Sequence, residues 1–336
     1  MRYHTLGTSG LRVSECALGA MTFGTAWGFG TDAATSRAIF AHYDGAGGNF
    51  IDTAVNYQDG QSEEIVGDCI AGDRERFVVA TKYTLSTRRE DPNACGNHRK
   101  NLVRSVETSL RRMKTEHIDL LWMHAWDQRT PEEEVVRALD DLVRSGKVLY
   151  VGISDTPAWV VSRMVTLADL RGWSRFIGLQ VEYSLVERGV ERELLPMAKA
   201  LGIGVTAWGA LAGGLLTGKY QGTGTPDTRR TSAIGRLNDR TRPIVDAVVA
   251  VATELDCAPT HVAHAWLRSK GVMPILGART VAQLDQTLFY RRVHPDAAQL
   301  ARLDAASAID LGWPHTFLSR PDIQRIIHGD HPTEPC

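Results

Sequence analysis

Cysteine is scarce. The five residues at 16, 69, 95, 257 and 336 are odd in number and scattered, with no CxxC pair and no histidine at zinc spacing. That argues against a disulfide framework and a structural zinc, and fits a reduced, cytosolic setting. An excess of one charge is also missing. The 38 Lys plus Arg nearly balance 39 Asp plus Glu, for a formal net charge of -1, so no electrostatic case exists for a nucleic-acid or acidic-membrane partner. No apolar run approaches the ~18 residues of a membrane helix. The opening MRYHTLGTSGLRVSECALG lacks the apolar centre of a signal peptide, and the chain reads as soluble and unprocessed.

What is present is a repeat of strand-length apolar runs: CALGAM (16–21), NFID (49–52), FVVATK (77–82), IDLLWMH (118–124), VLYVGIS (148–154), IGLQVEY (177–183), GIGVTAW (202–208) and VMPILGA (272–278). Runs that are apolar without alternation belong to strands covered on both faces, as in a parallel sheet wrapped by helices. Between them, residues 35–46, 62–71, 98–114, 131–145, 157–171 and 191–201 carry apolar positions at three- and four-residue intervals. Thr130-Pro131 followed by three glutamates is the clearest helix start, with negative charge where the helix dipole favours it. Length divided by ~150 would suggest two domains, but α/β barrels of ~250 residues form one. Eight alternations with no mid-chain linker favour a single (β/α)8 barrel domain over 1–336, ahead of a doubly wound sheet. Three pieces lie outside the repeat: a β-hairpin within residues 1–15 that could cap the barrel floor, a Gly-, Thr- and Arg-rich loop at 209–241, and a Pro- and His-rich tail at 309–336 expected to pack irregularly over one mouth.

In such a barrel the reactive groups come from the C-terminal ends of strands. The second run ends in Asp52, with Tyr57 five residues on; the third ends in Lys82 and the fourth in His124. This set suits a carbonyl receiving a hydride, whose oxygen needs a proton and polar donors as charge develops. A phenol of pKa near ~10 is a poor acid alone. An adjacent Lys82 ammonium would lower that pKa, Asp52 would keep the lysine charged, and His124 could donate to the substrate oxygen. Singly, each has an ordinary explanation: a structural ion pair, a packed loop aromatic, a hydrogen-bonded core histidine. Four compatible groups on adjacent strand ends outweigh it.

The sequence resembles the aldo-keto reductase superfamily over nearly its whole length, through LGTSGLRVS, GGNFIDTAVNY, SEEIVG, ATKY, IDLLWMH, GKVLYVGIS, LQVEYSL, LTGKY and ILGAR. The resemblance implies a TIM barrel, a catalytic tetrad of Asp52, Tyr57, Lys82 and His124 with Tyr57 as general acid, and NADPH held without a Rossmann fingerprint; no GxGxxG opens a strand-helix pair here. It further implies that Ser154, Asp155 and Gln180 bind the carboxamide, and that Trp208 stacks on the nicotinamide. Backbone from Gly209 through Leu211 and Gly213 to Leu215 would meet the pyrophosphate with Lys219 nearby, and Gly277, Arg279 and Gln283 would line the adenosine end. The family commonly has Asn at the position of Asp155, Tyr at that of Trp208 and Asn at that of Thr287, which leaves Thr287 without the usual adenine contact. GISDTPAW and NHRK look more like the aryl-alcohol-dehydrogenase-like branch than the sugar-reductase branch.

Trp27 and Trp126, in the first and fourth strand-helix loops, are candidates for the substrate pocket. The expected partner is a small-molecule carbonyl; a homo-oligomer is compatible with the sequence. No metal is expected: His261 and His264 in THVAH lack a third ligand, and His328 and His331 in HGDH are no more persuasive. Two alternatives stay open. Lys82 could be the Schiff base of an aldolase, which pairing with Asp52 argues against, and some superfamily members resemble cofactor-sensing auxiliary subunits of potassium channels.

Overall fold

The computed structural model describes residues 1–219 and 237–329. An antiparallel hairpin of β1 (Tyr3–Thr5) and β2 (Arg12–Ser14) comes first. Eight parallel strands then close on themselves: β3 (Ala17–Gly19), β4 (Phe50–Asp52), β5 (Val78–Tyr83), β6 (Ile118–Met123), β7 (Val148–Ser154), β8 (Phe176–Glu182), β9 (Gly204–Trp208) and β10 (Met273–Gly277), with β10 paired to β3. All eight expected runs are strands, and the fold is a (β/α)8 TIM barrel. Every residue of β5 and β6 is buried, which explains why these segments read as unbroken apolar runs.

The six expected helices are α1 (Ala33–Gly45), α2 (Gln61–Ile70), α3 (Arg99–Met113), α4 (Glu132–Arg144), α5 (Ala158–Arg171) and α6 (Leu194–Leu201). Asp32 caps α1 by accepting from the Thr35 N–H at 2.7 Å. Glu132, Glu133 and Glu134 fill the first turn of α4 after Pro131. α7 (Thr241–Glu254) and α8 (Pro259–Ser269) separate β9 from β10, and α9 (Val281–Leu288) and α10 (Ala297–Ala306) follow β10.

The hairpin packs against the N-terminal end of the barrel. Leu6 and Val13 pack with Ala17, Phe50, Val78, Ala80, Leu120 and Trp122 in one buried cluster, and the Thr8 N–H donates to the Gly202 carbonyl at 2.9 Å. Trp122 fills the lumen above that floor. A Cβ built on Gly152 would come within 2.3 Å of its ring, and one on Gly178 within 2.7 Å, so these two glycines supply the room for the indole. With floor and lumen filled, chemistry is confined to the opposite mouth.

The tail corrects an expectation. Residues 309–329 are not irregular but carry two short helices, α11 (His315–Leu318) and α12 (Pro321–His328). Arg192 donates to the Asp310 carbonyl at 2.9 Å, and His315 Nε2 lies 2.9 Å from Glu193 Oε1. Because these partners precede α6, the tail is pinned at the mouth side. His331 and the middle of the 209–241 loop lie outside the described residues. Among the described residues, no helix is long and apolar enough to cross a membrane.

Candidate active site

Asp52 ends β4, Lys82 lies in β5 and His124 directly follows β6, so parallel pairing of three neighbouring strands delivers all three to one level. The Lys82 ammonium donates to Asp52 Oδ2 at 2.5 Å and to the Thr53 carbonyl at 2.8 Å. Both side chains are buried. Burial alone would lower the Lys82 pKa; the Asp52 and Tyr57 charges and hydrogen bonds outweigh it, and the net direction is upward. A lysine held charged in this way is a poor Schiff-base nucleophile.

Tyr57 stands over this pair. Its ring centroid lies 4.7 Å from Lys82 Nζ and 5.8 Å from the His124 ring, which it meets edge-on. The expectation that Lys82 brings the phenol below its ordinary pKa is corrected here. Burial raises the Tyr57 pKa more than Lys82 lowers it, with Asp52 adding to the rise. The phenol is therefore a stable proton store, and the ammonium's effect is to limit the rise. His124 is pushed down to about 3, first by burial and then by Lys82. It is a neutral imidazole, able to donate a hydrogen bond but not a proton, and its buried Nδ1 has no partner among the described residues.

Supporting contacts tie the tetrad together. Gln180 Nε2 donates to Asp52 Oδ1 at 3.0 Å, so the residue assigned to the carboxamide also braces the ion pair. Thr81, next to Lys82, donates to Glu63 at 2.7 Å; Glu63 pairs with Arg112 at 3.0 Å, and Arg112 donates to the Val55 carbonyl at 2.7 Å. Sequence reading missed Glu63 and Arg112, because they meet only when α2 and α3 pack together. Residues 58–60 following Tyr57 adopt left-handed backbone, with φ of 49°, 54° and 100°. Such conformations cost roughly 1–3 kcal/mol for a non-glycine residue and concentrate at functional sites.

The other predicted residues fall around the same mouth. The Ser154 hydroxyl is buried beside the Asp155 carboxylate. Asp155 adopts left-handed backbone (φ 40°); desolvation raises its carboxyl pKa, opposed by a hydrogen bond with Trp208 and by the Lys82 charge. The turn from Gly209 keeps several amides for itself: Ala212 N–H donates to Gly209, and Gly214 and Leu216 N–H to Leu211. Leu215 is fully buried packing, Gly213 is in left-handed backbone, and Lys219 is exposed. Among the described residues, nothing stands within 4 Å of a Cβ built on Gly213 or Gly277. Gln283 accepts from the Arg279 N–H at 2.9 Å, and the Thr287 hydroxyl donates back to the Gln283 carbonyl at 2.8 Å, which turns Thr287 toward its own helix. Arg279 is exposed and has no carboxylate partner among the described residues.

Aromatic rings line the opening. Trp27 packs edge-on to Tyr57 at 6.1 Å and next to Phe29 at 5.9 Å. Trp126 meets Trp159 edge-on at 5.5 Å, with Trp159 58% exposed. Trp159 went unread in the sequence although it stands in GISDTPAW; its place at the start of α5 is the signal that could have found it.

The HxxH pair is structural. His261 Nε2 lies 2.7 Å from the Gln286 carbonyl and His264 Nδ1 2.7 Å from that of Thr260, and no cluster of three metal-binding side chains occurs among the described residues. Burial holds His264 down to about 4 from 6.5. Between those values the unfolded chain binds the proton and the folded protein does not, so stability should fall as pH drops below 6.5, by up to ~1.4 kcal/mol per unit for this residue. Chemical denaturation at several pH values should show a correspondingly shallower slope for His264→Gln; an unchanged slope would mean that His264 is charged in the fold.

A comparison with protein families adds an independent result. Residues 15–308 match the Aldo/keto reductase family. A norsolorinic acid reductase of Emericella nidulans is 37% identical, covering 92% of this chain and 82% of the relative. An aryl-alcohol dehydrogenase of Pestalotiopsis microspora is 35% identical over 93% of this chain and 83% of its own length. An NADP(+) aryl-alcohol dehydrogenase of Phanerodontia chrysosporium is 35% identical over 95% and 89%. With a closed barrel, a buried lysine–aspartate pair under a tyrosine at its mouth, and a match over most of its length, this chain belongs to the aldo/keto reductase family of oxidoreductases.

Proposed function

We propose that this enzyme reduces aldehydes or ketones to alcohols with NADPH, that its preferred substrates carry a flat aryl group, and that Tyr57 is the general acid. The observation that carries the reading is Tyr57 standing between a charged, buried Lys82 and a neutral, buried His124. His124 can donate a hydrogen bond to a carbonyl oxygen, and Tyr57 Oη can deliver the proton as that oxygen becomes basic. The phenolate left behind is stabilised by Lys82, which Asp52 and the Thr53 carbonyl hold in place. The aromatic rim of Trp27, Phe29, Trp126 and Trp159 suits planar substrates, in keeping with the relatives named aryl-alcohol dehydrogenase.

The residues present fit a nicotinamide dinucleotide. Ser154 offers a buried hydroxyl, Gly213 and Gly277 leave open space beside the backbone among the described residues, and Arg279 is an exposed guanidinium at the start of α9. Ser154, Asp155 and Gln180 would hold the carboxamide, Trp208 the ring face, the Gly209–Leu215 turn with Lys219 the pyrophosphate, and Arg279 a 2′-phosphate. When bound, the nicotinamide supplies the hydride.

The test is NADPH consumption at 340 nm over aryl, aliphatic and sugar-derived carbonyls, with aryl compounds expected to give the highest kcat/KM. Arg279→Ala should weaken NADPH binding by roughly tenfold to a hundredfold while sparing NADH; equal losses for both would remove the phosphate role. Cofactor binding with no turnover of any carbonyl would instead support a cofactor-sensing subunit.

A further inference from the structure

Gln58 follows Tyr57 directly and is fully buried, in left-handed backbone. Its side chain faces the β3–α1 loop, residues 21–31. The Trp27 N–H donates to Gln58 Oε1 at 3.0 Å, and Gln58 Nε2 donates to the Met21 and Phe29 carbonyls, both at 3.1 Å. Two neighbours extend the grip: Gln61 Oε1 accepts from the Thr25 N–H at 2.8 Å, and Asp59 Oδ1 accepts from the Trp27 indole N–H at 2.9 Å. The loop is moulded to this arrangement. A Cβ on Gly24 would stand 2.7–2.9 Å from Gln61 and Gln58 atoms, and one on Gly30 2.2 Å from the Gly24 carbonyl.

We infer that Gln58 is a positioning residue for substrate selectivity: the turn that carries the phenol also fixes, through Gln58 and Asp59, where the Trp27 wall stands relative to that phenol. Only a primary amide can accept one N–H and donate to two carbonyls from a single buried position. A glutamate there would set a carboxylate against two carbonyl oxygens, and a leucine would leave all three loop groups without partners. Because the left-handed turn and the loop hold each other, the wall is built before substrate arrives. An aryl group therefore meets a fixed ring at a fixed distance from the proton donor, while a short aliphatic chain makes no use of it. This inference rests on the proposed reduction of aryl carbonyls.

The test compares Gln58→Leu, Asp59→Ala and Asp59→Asn with wild type, using a substituted benzaldehyde and butanal with NADPH, alongside hydrogen exchange over residues 21–31. Gln58→Leu should raise the benzaldehyde KM by about tenfold, leave butanal kcat/KM and the high-pH limb nearly unchanged, and speed exchange of the Trp27 amide. Asp59→Ala, a change at an exposed position, should shift benzaldehyde KM in the same direction by less, and Asp59→Asn, which keeps both the acceptor and the tolerance for left-handed backbone, should behave as wild type. Equal losses on both aldehydes, or no change on either, would overturn the selectivity role. If wild type reduces neither aldehyde, the reduction reading fails by itself, and the exchange measurement still decides the loop restraint: an unchanged Trp27 amide rate in Gln58→Leu refutes it.

Discussion

Tyr57→Phe should reduce turnover by ~10²–10⁴, the range that a positioned general acid contributes, with little change in NADPH affinity. The substitution removes one oxygen and keeps the ring that packs against Trp27 and His124, so neither the turn nor the proposed cofactor residues lose a ring contact. His124 cannot substitute as an acid, since burial and Lys82 keep it neutral down to about 3. Single-turnover rates and cofactor titration by tryptophan fluorescence separate the two effects. A variant retaining more than about a tenth of the wild-type rate would end the assignment of Tyr57 as the proton donor.

Lys82→Met should be damaging twice over. It leaves the Asp52 carboxylate buried with Gln180 as its remaining side-chain partner among the described residues, and breaking a buried pair from one side costs about 3–5 kcal/mol. It also removes the positive charge that opposes the rise in the Tyr57 pKa caused by burial. Whatever activity survives should therefore show its high-pH limb displaced upward, because the phenol ionises only at higher pH. The double variant Asp52→Asn with Lys82→Met should recover part of the lost stability without recovering rate. An unshifted pH profile in Lys82→Met would show that the lysine does not act on the phenol, and a double variant no more stable than the single would show that the buried carboxylate is not the source of the loss.

Much of this four-residue cluster could be read from the chain because it rests on local register. Asp52, Lys82 and His124 stand at or just beyond the ends of apolar runs, and in a parallel barrel the strand end is the mouth, so position in the run implies position in space. The Glu63–Arg112 pair has no such signature: its two members are far apart in sequence, and Arg112 looks like an ordinary helical arginine. The same holds for Gln58, whose three bonds reach back to residues 21–29. Its left-handed backbone could not be anticipated, since glutamine has no local preference for that conformation.

The sequence by itself determined the eight strands, the six helices between the first seven of them, the hairpin before them and the residue types brought to one mouth, because period, capping and run length are properties of neighbours in the chain. Only the tertiary structure decided the electrical character of those residues. Whether Tyr57 is held above or below its ordinary pKa, and whether His124 can be charged, depends on how much protein surrounds each group and where Lys82 stands. Desolvation is summed over every neighbour in space, and those neighbours come from strands, loops and helices that folding alone brings together.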